Sequence, residues 1–122
     1  MNEADLDYEP TVTEVIAFQN DLFRTHLGNH PYVKGKVLAT SGVRQRGPQF
    51  LNDVAEAVRT FSAFNKEDDP HGEHNFGVIY VAGVKLYFRI DLYDPDYRFG
   101  SNAPHDLTAT RRVLTVMHPQ DY

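Results

Sequence analysis

The densest run of groups able to do chemistry is Asp68-Asp69-Pro70-His71-Gly72-Glu73-His74. Its imidazoles and carboxylates are the ligand types of a divalent-cation site, and Asp91 or Asp94 could approach from a neighbouring strand end. A hydrolytic zinc centre needs three N or O ligands and one open position for water. The spacing argues against it, because His71 and His74 stand three apart on a turn rather than four apart on a helix. Pro70 and Gly72 are turn residues, and Glu73 and His74 can instead bond the backbone that closes the loop. A metal-dependent hydrolase using His71, Glu73, His74 and Asp91 is therefore kept as the alternative function, and no cofactor is assigned otherwise.

Other catalytic classes have less to stand on. The chain has no cysteine, and Ser41, Ser62 and Ser101 lack a Gly-x-Ser-x-Gly turn. Ser101, His105 and Asp106 are of the right types, but triad members meet in space from separate segments. No glycine-rich loop joins a strand to a helix as a phosphate cradle requires. Arg44 with Arg46, and Arg111 with Arg112, read as small basic spots on solvated surface.

Charge points elsewhere. Twelve basic against seventeen acidic residues give a net charge of −5, which disfavours direct binding to a phosphate backbone. The acids gather in two turn-rich loops, Asp68–Gly77 and Tyr93–Ser101, that bracket an apolar hairpin. Carboxylates of Asp68, Asp69, Glu73, Asp91, Asp94 and Asp96 would form an acidic face for a basic partner, with Tyr93 and Tyr97 as amphipathic anchors. Attraction to Lys and Arg on that partner would act over a Debye length of about 10 Å. No catalytic residue is assigned on this reading.

The elements that hold these loops follow from periodicity. Thr11-Val12-Thr13-Glu14 has the form of a capping box. Val12, Val15, Ile16, Phe18, Leu22 and Phe23 then lie on one helical face, with Gly28-Asn29 and Pro31 as a stop. Lys36–Thr40 reads as a strand, and Ser41–Gly47 as an exposed connection. Pro48 opens a second helix that carries Phe50, Leu51, Val54, Ala57, Val58 and Phe61 and fades near Phe64-Asn65. Val78–Val81 turns at Ala82-Gly83 and returns as a strand with Val84, Leu86, Phe88, Ile90 and Leu92 at alternate positions. Lys85, Tyr87, Arg89, Asp91 and Tyr93 take its other face. Asp106–Thr110 suits one helical turn, and Val113–Met117 is a last strand ended by Pro119.

The order is αβαβββ, and the expected fold is α+β: two helices packed on one face of a four-stranded, mostly antiparallel sheet. The 122 residues suit a single domain 1–122. Met1–Pro10 reads as a mobile acidic tail without a signal-peptide core. No apolar run nears the roughly 18 residues of a membrane span, so a cytoplasmic protein without a membrane partner is expected.

Asp69-Pro70-His71-Gly72-Glu73-His74-Asn75-Phe76-Gly77, Ile90-Asp91-Leu92-Tyr93-Asp94, Phe99-Gly100-Ser101 and Thr110-Arg111-Arg112-Val113-Leu114-Thr115-Val116-Met117 carry a resemblance, and the first helix fits it too. With these motifs the chain resembles a family of small bacterial proteins defined as a domain of unknown function (number thirty-seven sixty-eight). The resemblance implies association with plasmids, phages and other mobile elements, and supplies no activity. The expected function is accordingly a small acidic protein-binding module of a mobile element. It would inhibit a host nucleic-acid-targeting defence complex, of anti-CRISPR or anti-restriction type, by occupying a basic nucleic-acid-binding surface. A third expectation is an oligomeric structural protein or homodimer, joined through Lys36–Thr40 or Val113–Met117 if either is a sheet edge.

Overall fold

The computed structural model describes residues 8–122. Most of the expected tail therefore lies outside the described residues; of Tyr8–Pro10, all exposed, Tyr8 donates its hydroxyl proton to the Glu14 carboxylate. Helix α1 (Val12–Thr25) begins as its capping box dictates, with Thr11 Oγ1 accepting from Glu14 N at 3.1 Å. It ends in a Schellman turn. Gly28 N donates to Phe23 O and Leu27 N to Arg24 O, which requires left-handed φ at Leu27, and Gly28 beside it also has positive φ.

Strand β1 (Gly35–Ala39) leads into α2 (Ser41–Arg44) and α3 (Pro48–Thr60). The stretch expected to be only a connection thus holds a helical turn, which buries Val43. Helix α3 starts at Pro48 but stops at Thr60, short of Phe64. Phe61 adopts extended backbone there and packs its ring edge-on against Phe64 and Phe88. Strands β2 (Phe76–Val81) and β3 (Val84–Tyr93) form the hairpin. Its turn has positive φ at both Ala82 and Gly83, the twist that matches flanking strands. Strand β4 (Arg111–Met117) and a 3₁₀ turn (Pro119–Asp121) complete the chain. Asp106–Thr110 forms hydrogen-bonded turns rather than a helix.

The sheet order is β1-β4-β3-β2. β4 pairs antiparallel with β3 but parallel with β1, so the sheet is mixed rather than mostly antiparallel. Val113–Met117 is consequently internal and cannot be an oligomer edge, whereas Lys36–Thr40 does lie on one. Alternation sends Leu86, Phe88 and Ile90 of β3, with Leu114 and Val116 of β4, into an apolar cluster. Phe23 of α1 and Val54 and Val58 of α3 belong to the same cluster. Each such side chain contributes about 1.5–3 kcal/mol when fully buried. Among the described residues, no helix is long and apolar enough to cross a membrane.

Candidate functional site

Register decides where the two acidic loops emerge. Phe76 at the start of β2 pairs with Arg89 near the end of β3, and Tyr93 at that end pairs with Arg111 at the start of β4. The loop before β2 and the loop after β3 therefore leave the sheet from the same end.

Polar residues of α1 fix the first loop. Asn20 Nδ2 donates to Glu73 O at 2.9 Å. Asp21 meets His74 Nδ1 at 2.9 Å and Arg24 Nη2 at 3.0 Å. The His74 ring stacks on Phe64 with centroids 4.0 Å apart, and the Arg24 guanidinium lies 5.3 Å from the same Phe64 ring. Asp69, only 6 % exposed, accepts from Glu73 N at 3.1 Å and His74 N at 3.2 Å. It staples the loop from inside and cannot meet a partner, which corrects its place in the acidic face. Asp69→Ala leaves both amides unbonded and is expected to cost about 2–4 kcal/mol. Hydrogen exchange at Glu73 and His74 should accelerate in the variant, and unchanged protection would contradict the staple.

The second loop is built on Asp94, whose Oδ1 accepts from Asp96 N and Arg98 N, both at 3.1 Å. This is a side-chain-mimicked turn, so the carboxylate is half spent on its own backbone. Tyr93 is half-buried at the strand end, and Tyr97 is half-buried with Lys36 Nζ 4.3 Å from its ring centroid. Asp96 remains exposed.

The outer sheet face carries a groove of about 530 Å³. Phe76 and Tyr87 form part of its floor, with ring centroids 5.0 Å apart. Tyr122 stands edge-on to both. Glu67, Asp68, Pro70 and His71 also line it, as do Lys85, Arg89 and Asp91. Arg89 Nε donates to Asp91 Oδ2 at 2.9 Å, which neutralises that acid locally. With Lys36, Arg98 and Arg111 on the same sheet end, the carboxylates form separate points rather than one continuous row.

The metal-ligand set does not assemble. His71 and Asp91 line the groove, Glu73 is half-buried, and His74 turns to Asp21 on α1. Positive φ at Gly72 and His74 sends consecutive side chains in different directions. Among the described residues no three His, Asp or Glu groups are placed to hold a metal ion. Ser101 likewise has a structural role: its hydroxyl bonds Thr110 Oγ1 at 2.7 Å and accepts from Ala103 N at 3.2 Å. Asp106 accepts from the Thr108 hydroxyl and amide, which hold its carboxyl below the ordinary range.

Arg112, read from sequence as a solvated basic spot, is fully buried. Its Nε donates to Asn20 Oδ1 at 2.7 Å and its Nη2 to Gln19 Oε1 at 3.1 Å. Gln19 Nε2 in turn donates to His105 O at 3.0 Å. One buried guanidinium thus orients the two amides that tie α1 to the loops at Glu73 and His105. Strand alternation was the available signal, since Arg112 shares a face with Leu114 and Val116. Tyr122 carried no such signal, because its packing on β2 and β3 depends on the fold of the whole sheet.

No curated protein and no solved structure matches the chain. A family model described as "Protein of unknown function (DUF3768)" matches residues 39–121. The match covers β1's last residue through the 3₁₀ turn, including both acidic loops, Arg112 and all of the groove lining but Tyr122, while α1 lies outside it. Over more than half its length, the chain belongs to the DUF3768 family.

Proposed function

We propose that this chain is a protein-binding module without catalytic machinery, which presents one end of its sheet to a basic, nucleic-acid-binding surface of another protein. The observation that carries the reading is the shared exit of the two acidic loops. Among the described residues, the carboxylates of Glu67, Glu73 and Asp96 accept no hydrogen bond from their own chain, Asp68 accepts only from Asn65 Nδ2 at 3.1 Å, and Tyr93 and Tyr97 flank them. Asp91 and Asp94 contribute less, since Arg89 and the loop backbone already hold them. Discrete charges of this kind steer encounter and fix orientation more than they supply affinity. The narrower reading is a mobile-element product that blocks a host nucleic-acid-targeting defence complex of anti-CRISPR or anti-restriction type. It is supported by the mobile-element association that the family resemblance implies.

The test is recovery of the tagged chain from its host's lysate, followed by competition with DNA and RNA for whatever partner is captured. Nucleic acid should displace the chain, and added salt should weaken the complex. Glu67→Lys with Asp68→Lys and Asp96→Lys should raise the dissociation constant at least about tenfold. A complex indifferent to nucleic acid and to the triple reversal would refute the proposal.

A further inference from the structure

We propose that β2 is the docking edge for a second copy of this chain, paired antiparallel about Val78. Tyr80 and Lys85 of that copy would complete the outer-face groove.

Backbone parity opens the argument. Val81 and Val84 flank the two-residue turn and form the closing hydrogen-bonded pair of the hairpin. Ile90 N donates to Asn75 O at 2.8 Å, so odd-numbered residues of this strand bond to β3. The N–H and C=O groups of Phe76, Val78 and Tyr80 consequently point away from the sheet. Among the described residues no hydrogen bond engages them.

The two edges of the sheet differ in how they are guarded. β1 has five residues and carries Lys36, both of which discourage pairing. β2 reads Phe-Gly-Val-Ile-Tyr-Val, with no charge, no proline and no bulge. Its core side is sealed, with Ile79 and Val81 each 5 % exposed. Tyr80 on the outer side is 67 % exposed, and no ring of its own chain stacks on it among the described residues.

A second copy fits because the edge is complementary to itself. Pairing about Val78 sets Tyr80 of one copy opposite Phe76 of the other, an aromatic cross-strand pair of the kind that stabilises sheets. In the same register Arg89, the cross-strand partner of Phe76, is held by Asp91 at 2.9 Å, which leaves Glu67 and Asp68 as the charges open to the other copy. Glu67 and Asp68 border the Phe76 end of the groove, while Lys85 stands beside Tyr80 at its other end. The antiparallel arrangement brings each lysine toward the acidic border of the opposite copy. The two grooves then run on into one another, and each takes part of its wall from the other chain. This inference shares Glu67 and Asp68 with the basic-partner surface proposed above, but Val78→Pro and Lys85→Glu alter neither carboxylate, so the two proposals fail separately.

Sedimentation velocity of the full chain over a concentration series tests it. The wild type should be a dimer. Val78→Pro should be a monomer with unchanged circular dichroism, because the Val78 N–H takes no part in the hairpin ladder. Lys85→Glu should raise the dimer dissociation constant about tenfold, and adding Asp68→Lys to it should restore dimerisation. The charge pair decides the matter if Val78→Pro fails to fold. A wild type that stays monomeric overturns the proposal. So does a dimer that ignores both changes, as one formed through the exposed Val37 and Leu38 of β1 would.

Discussion

Arg112→Ala is expected to cost about 3 kcal/mol or more of folding stability, and opposing effects set that figure. Burial pulls the Arg112 guanidinium well below its ordinary value, to about 10, a penalty of about 3 kcal/mol for keeping it charged at neutral pH. Alanine relieves that penalty. It also strands the amide oxygens of Gln19 and Asn20, at about 1–3 kcal/mol each, and leaves a void worth about 2–5 kcal/mol. The losses exceed the relief. Urea midpoints at constant slope would measure the difference, and a variant as stable as wild type would refute the account. Arg112→Met combined with Gln19→Leu and Asn20→Leu should recover most of the stability, as apolar replacement of buried ionic groups often does. The loops at Glu73 and His105 should still exchange faster, having lost their donors. The sign of the pH effect follows from the depressed folded value. In the window that opens at about pH 10 the unfolded chain holds this proton more tightly, so the residue's contribution to stability rises with pH. The stability difference between wild type and Arg112→Met should therefore move in favour of wild type across that window.

Gly35→Ala is expected to be comparably severe for a steric reason. A Cβ at Gly35 would lie 1.9 Å from Arg112 O and 2.7 Å from its carbonyl carbon. The obstacle is backbone in the interior strand β4, which β3 holds from the other side. It cannot yield as a side-chain tip would. Overpacking usually costs about 1–3 kcal/mol, and the backbone collision should place this variant at or above the upper end, with a melting temperature about 10–20 °C lower. Gly83→Ala provides the control. Nothing lies within 4 Å of its added Cβ, but φ is +77°, so only about 1 kcal/mol of left-handed strain is added. Equal melting temperatures for the two variants would show that the close approach at Gly35 is not rigid.

The ends of helix α1 were readable almost to the residue, because a capping box and a glycine stop are local signals. Its buried face was not: Val12 and Phe18 of the expected stripe are exposed, and Gln19, Asn20 and Arg24 are buried. The strands were readable too, but their neighbours were not. Alternation reports that one face is buried and says nothing about which strand lies alongside, so the parallel β1–β4 pairing stayed hidden. The acidic loops were visible as composition, whereas the destination of each carboxylate was not. Asp69 turns inward to two amides and Asp94 caps its own turn, both choices made by backbone geometry a few residues away. His74 looked like a ligand beside His71, yet its partner Asp21 lies 53 residues earlier. Arg112 was misjudged by pairing it with its chain neighbour Arg111 instead of with its face neighbours, Leu114 and Val116.

The position of β4 has a bearing on how the chain is made. It follows the other three strands of the sheet in sequence and yet is an interior one, bonded to β1 on one side and β3 on the other. Until residues 111–117 leave the ribosome, β1 has no strand beside it, and the hairpin of β2 and β3 is a two-stranded ribbon, marginal by itself. Arg112 must also reach Asn20 across 92 positions of chain, a contact that only late closure can form. Neither β1 nor the hairpin can therefore complete its pairing until residues 111–117 are free, and the sheet closes in one late step. A stall or premature stop before residue 111 would release an aggregation-prone fragment rather than a smaller working protein.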